Sequence, residues 1–216
     1  MKKINLFILL LIFMISILFI GCPIQTDSNS DNGNDKKEKN DDSNNNTHVP
    51  GSNLPSSITN STPLTLPSGV TINKMNGGTL SLISTFPVSL ILTNNTSTTY
   101  NYTFNAGSNF WADTEEAQNL IIVWDVSITI NPGNNSSIIL PTFCINPSLS
   151  APGIYDNYCL GTIYTDGCMG QIINILSTKI PSTFDYFDLT IIQAAIAECL
   201  ANGTLSTTTI NLLNAL

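Results

Sequence analysis

Tyr100-Asn101-Tyr102-Thr103-Phe104 and Val126-Ser127-Ile128-Thr129-Ile130 alternate large apolar and polar side chains at every step. A period of two puts the two sets on opposite sides of an extended chain, so both stretches read as β-strands with one buried face. Their neighbours carry the same signal, and the expected strands are 69–74, 79–84, 88–93, 99–104, 120–130 and 137–143. Asn94-Asn95-Thr96-Ser97 and Asn131-Pro132-Gly133-Asn134 between them supply turn chemistry. Short strands at this spacing predict an antiparallel β-sandwich of immunoglobulin-like type over residues 62–146. The Cys, Trp, Cys spacing of true immunoglobulin domains is absent, so the expectation concerns architecture alone.

After Pro147 the period changes. Met169, Ile172, Ile173 and Leu176 recur at helical spacing within 168–179, and Pro181-Ser182-Thr183 interrupts the pattern. Leu189, Ile192, Ala195, Ile196 and Cys199 mark a second helix over 188–201, which stops before Asn202-Gly203 and is opened by the acids Asp185 and Asp188. A third, short helix is expected over 207–216. The fold class is therefore α+β: the sandwich, then a C-terminal helical hairpin in a subdomain, 147–216, packed on it.

Cys144, Cys159, Cys168 and Cys199 follow the N-terminal region, and in an oxidising compartment four cysteines suggest disulfides. Cys168 opens the first helix and Cys199 lies near the end of the second. Antiparallel packing around the intervening turn brings both to one end, which predicts a Cys168–Cys199 bond. Cys144 and Cys159 then either pair or stay apart. No two cysteines stand at the CxxC spacing of a zinc site, so no metal is expected.

The other end of the chain carries an address. Lys2 and Lys3 precede an apolar run from Leu6 to Ile20 that closes on Ile20-Gly21-Cys22, the layout of a lipoprotein signal peptide over residues 1–21. The run is short for a membrane span and is followed at once by Pro23-Ile24-Gln25-Thr26. Phe19 stands three residues before the cysteine, where such leaders usually carry Leu. Cys22 is the expected lipidation site, placing the mature protein in a bacterial cell envelope, extracytoplasmic and held to the membrane by lipid. Residues 22–61 are rich in Asn, Asp, Ser and Lys and poor in large apolar side chains, which predicts a disordered polar tether.

Charge and missing residue types narrow the function. From Thr62 onward nine acids face only Lys74 and Lys179, a net of seven negative charges that argues against nucleic acid as a partner. There is no Arg, and the single His, His48, falls in the tether. Ser/His/Asp triads, Cys/His pairs and histidine zinc sites are therefore not expected in the folded part. Met75-Asn76-Gly77-Gly78-Thr79 lacks the spacing and lysine of a phosphate loop. Asp113, Glu115 and Glu116 beside Phe110-Trp111 read as a solvated connection rather than a catalytic carboxylate pair. No catalytic residue and no cofactor are expected, and the protein reads as a binding module rather than an enzyme.

One pair of short motifs is more specific. Phe143-Cys144-Ile145-Asn146 and Ile192-Gln193-Ala194-Ala195-Ile196 resemble the two halves of the thioester domains of bacterial surface adhesins. In that family a cysteine after an aromatic or leucine is joined to a glutamine in a helix of hydrophobic-Gln-x-x-hydrophobic pattern; here Ala197 follows the second motif, where the family usually has Trp. The resemblance covers roughly residues 143–201 and implies a bond between the Cys144 sulfur and the Gln193 carboxamide carbon, with loss of ammonia. It further implies an adhesion module whose partner is a protein or polysaccharide, captured by attack of an amine on the thioester. The alternative is a structural envelope lipoprotein with a disulfide-stabilised sandwich and no thioester.

Overall fold

The computed structural model describes residues 61–78, 86–146 and 148–216. The leader, Cys22, all but the last residue of the tether, and the strand expected at 79–84 lie outside them. Among the described residues ten strands form three antiparallel sheets and three α-helices follow, an α+β arrangement. The strands are β1 Thr62–Pro63, β2 Val70–Gly77, β3 Val88–Asn94, β4 Tyr100–Phe104, β5 Ser108–Ala112, β6 Leu120–Ile121, β7 Val126–Ile130, β8 Asn135–Leu140, β9 Phe143–Cys144 and β10 Tyr158–Ile163. The helices are α1 Gly167–Leu176, α2 Tyr186–Asn202 and α3 Thr207–Ala215. Sheet order is β1-β10-β5-β6-β9, β2-β3-β8 and β4-β7.

The alternating stretches form strands because each has a face to bury. Tyr100 pairs with Ile130, Tyr102 with Ile128 and Phe104 with Val126, so apolar side chains stand directly opposite one another across β4 and β7. In β3, Val88, Leu90 and Leu92 are fully buried while Ser89, Ile91 and Thr93 are partly exposed.

Three expected boundaries are corrected. The run 120–130 is two strands, because Val123 and Trp124, neighbours in sequence, both join the core beneath the helices. A straight strand cannot turn two successive side chains to one side; the chain bends, and Asp125 accepts the Ala106 N–H at 2.8 Å beside the bend. The stretch 137–143 is also two strands, separated at Pro141, which has no N–H to give to a ladder. Finally, the change from strand to helix comes at Gly167 and not at 147. Tyr158–Ile163, within the segment assigned to the helical subdomain, is a strand between β1 and β5.

The helices follow their expected faces. Cys168, Met169, Ile172 and Leu176 of α1 are buried, as are Leu189, Ile192, Ala195, Ile196 and Cys199 of α2. A capping box starts α2: the Asp185 carboxylate accepts from the Phe187 and Asp188 N–H groups, and Asp188 accepts from the Asp185 N–H. Gly203, at φ 70°, ends the helix in the left-handed conformation that glycine adopts without a Cβ clash.

Two cores result. One lies among the strands and holds Leu90, Leu92, Phe104, Phe110, Leu120, Leu140, Cys144 and Tyr158. The other lies beneath the helices and holds Trp124, Phe143, Ile145, Met169, Ile172, Ile192 and Ile196. Strand β9 is the seam between them: Phe143 and Ile145 enter the helical core, and Cys144 enters the strand core.

Candidate functional site

Cys144 sits at the outer edge of the five-stranded sheet. The residue is 4% exposed and shares the strand core with Tyr158, while Phe143 meets Trp124 edge-on at 5.7 Å in the helical core. Registers Leu120↔Cys144 and Ile121↔Phe143, with the Ile145 N–H donating to Asn119 O at 3.0 Å, make residue 144 a non-hydrogen-bonded partner of Leu120. The backbone N–H and C=O of Cys144 therefore face away from β6, toward α2.

Gln193 occupies that edge. Its Oε1 accepts the Cys144 N–H at 2.9 Å, and its Nε2 donates to the Cys144 carbonyl oxygen at 3.0 Å. The carboxamide thus takes the place of a neighbouring strand's peptide group and satisfies both backbone groups of one residue. Ile192 and Ile196, fully buried on either side of it in the helix, fix the rotation of α2 that aims Gln193 at β9. The two residues singled out by the sequence motifs, 49 positions apart, are brought together.

Buried amides hold β9 in register. The Asn119 side chain accepts the Ala112 N–H at 2.8 Å, and the Asn119 N–H donates to the Asn146 side chain at 3.0 Å. Beside Cys144, the Tyr158 hydroxyl donates to Gln118 O at 3.2 Å. Burial, then the Asp156 charge, then the nearby Cys144 raise the Tyr158 pKa strongly, so the phenol stays neutral. Tyr158 and Asn119 carried no signal in the sequence: Tyr158 lies in a strand broken by a bulge, and a buried asparagine looks like any turn asparagine.

The disulfide expected between α1 and α2 is present: Cys168 and Cys199 are bonded, with Cα atoms 5.6 Å apart. Cys144 and Cys159 stand outside it. The alternative in which they pair is excluded by sheet register. Cys144 lies in one row with Leu120, Phe110 and Leu160, three strand spacings from β10, or about 14 Å. A disulfide needs Cα atoms within about 7 Å. Cys159 faces Trp111 across the β5–β10 pair instead, where burial, and next Asp113, raise its thiol pKa.

The remaining candidates are dispersed. Asp113, Glu115 and Glu116 are exposed at the bend after β5. Lys74 is exposed on β2, and the Lys179 ammonium donates to Asn214 O at 2.7 Å. Among the described residues no group of three or more His, Cys, Asp and Glu side chains is placed to hold a metal ion. Comparison of the chain with protein-family models, with curated proteins and with solved structures gives no match.

Proposed function

We propose that the protein is a membrane-anchored, extracytoplasmic lipoprotein of the bacterial cell envelope that acts as a binding or adhesion module, with an internal thioester between Cys144 Sγ and Gln193 Cδ that captures amines covalently. In this reading the strands form a two-layer, immunoglobulin-like sandwich, and α1 and α2 form the hairpin that carries the glutamine. The observation that carries it is the reciprocal bonding of the Gln193 carboxamide to Cys144. Two short motifs expected from sequence to react with each other meet, with the thiol-bearing residue buried from water. A buried thioester survives hydrolysis until a nucleophile reaches it, and its reaction needs neither histidine nor arginine. The amine comes from a protein or an amine-bearing polysaccharide presented to the envelope.

The test is an intact-mass measurement on the purified domain. A mass one ammonia short of the sequence value, gain of one methylamine on incubation, and the full sequence value in Cys144→Ala are the expected results. Full mass in the parent domain, with no methylamine uptake, refutes the thioester. The same contact favours a second reading in that event: a structural lipoprotein in which Gln193 merely covers the edge of β9, stiffened by the Cys168–Cys199 bond. Loss of palmitate labelling in Cys22→Ser tests the anchor, and release of the domain by protease from intact cells tests surface exposure.

A further inference from the structure

We infer that the backbone N–H of Cys144 is the oxyanion donor for the thioester chemistry, so that one residue supplies both the nucleophile and the group that stabilises the charge created by its attack. The inference rests on the thioester reading and adds a catalytic group to it.

The two hydrogen bonds between Gln193 and Cys144 flank the Cα of residue 144, which sets that Cα opposite the carboxamide carbon. In an extended strand the side chain stands roughly perpendicular to the plane of the backbone hydrogen bonds. The carboxamide, bonded as a strand neighbour would be, lies near that plane. The sulfur of Cys144 is thereby carried to the face of the carboxamide, the side from which a nucleophile adds to a carbonyl. The oxygen that would take the negative charge, Oε1, already holds the Cys144 N–H at 2.9 Å, within the range for a preorganised oxyanion donor.

The steps balance. In formation, the Cys144 sulfur bonds to Gln193 Cδ and the C=O electron pair moves onto Oε1, where the N–H of residue 144 receives it. The pair returns, the Cδ–Nε2 bond breaks, and Nε2 leaves as ammonia with the thiol proton. The Cys144 carbonyl, which accepts from Nε2 at 3.0 Å, holds the departing nitrogen in line until then. In capture, an amine nitrogen adds to Cδ and charge again gathers on Oε1. The Cδ–S bond breaks, an amide forms, and the amine's proton passes to the sulfur. Both directions use the same donor.

Deleting this N–H removes no donor from the sheet ladder. Because Cys144 and Leu120 are a non-hydrogen-bonded pair, the donor serves Gln193 and no ladder bond. Incorporating 3-mercaptolactic acid at position 144 by in vitro translation with a chemically acylated tRNA replaces the N–H by an ester oxygen and keeps the thiol. Ammonia loss and methylamine uptake are followed by intact mass, and folding is checked by far-UV circular dichroism and by the intact Cys168–Cys199 bond. A folded ester variant whose thioester formation and methylamine uptake slow by about 10²–10³-fold is the expected result. A long-range correlation between the Cys144 amide and Gln193 Cδ in the NMR spectrum of the cross-linked parent domain provides the second readout. Rates within threefold of the parent, or absence of that correlation, overturn the inference and leave the thioester standing. A parent domain of full mass overturns both.

Discussion

The Cys168–Cys199 bond joins residues 31 positions apart and ties the start of α1 to the last turns of α2. Replacing both cysteines by alanine removes the cross-link from the unfolded chain and leaves the buried faces of both helices otherwise intact. In the chain-entropy account, a loop of this length contributes about 3.5–4 kcal/mol. The loss falls on a domain of ordinary stability, for which 1 kcal/mol corresponds to about 2–4 °C in melting temperature, so Tm should drop by about 7–16 °C. Urea unfolding of parent and variant measures the difference. The slope with urea should also rise, because the unfolded chain without the cross-link exposes more surface. The effect reaches the candidate site as well, since Gln193 lies less than two turns from Cys199 on the same helix. A loss under about 1 kcal/mol with unchanged slope would refute the reasoning, since the bond would then leave the unfolded ensemble unrestricted.

Three further outcomes are expected. Gln193→Ala leaves the Cys144 N–H and C=O without the carboxamide that serves both, and urea unfolding should show a loss of about 1–3 kcal/mol when compared with a parent domain whose cysteine is reduced and not cross-linked. Burial works to raise the Glu198 pKa, but hydrogen bonds from Thr209 and Ser206 outweigh it and hold the carboxyl below the usual glutamate value. With the folded value below the unfolded one, its contribution is complete above the unfolded value of about 4.3 and is lost as pH falls through the folded one. Stability followed against pH should therefore lose some of its acid-side slope in Glu198→Gln. Gly161→Ala would drive a methyl group into the Asn109 side chain and the Trp111 indole, breaking the bond from Trp111 Nε1 to Asn109 Oδ1; a shifted tryptophan emission with a lowered urea midpoint is expected, and an unchanged spectrum would count against the close packing of the ring on the bulge.

What was legible in the sequence was whatever has one wet face. β3, β4 and β7 alternate because one side of each meets less crowded surroundings, and α1 and α2 show a helical stripe because the other side of each faces solvent. β5 was missed because Ser108, Asn109, Phe110 and Ala112 are all buried, so no alternation survives, and a buried asparagine reads as a turn. β10 was missed because its register with β5 shifts between Leu160 and Ile163, setting two residues, Gly161 and Thr162, against the single Asn109 and breaking the period. The meeting of Cys144 with Gln193 was legible only through the paired motifs. Nothing in either segment's pattern says that the edge of β9 would face the helix.

The order of the five-stranded sheet has a mechanical consequence. β1, where the preceding chain reaches the fold, is one edge strand, and β9, which carries Cys144, is the other, four spacings or about 19 Å away. A load between the preceding chain and anything held at residue 144 runs across the strands instead of along them. The rung at β1 is the two residue pairs Thr62↔Ile163 and Pro63↔Thr162. β9 also pairs with β6 over two residues, but it is held in addition by the Gln193 carboxamide and by the Ile145 N–H on Asn119 O. Pulled sideways, the β1 pairs separate in succession, releasing Leu64 from the strand core. The first yield under tension is therefore a short lengthening at β1, while the far edge stays closed around Cys144.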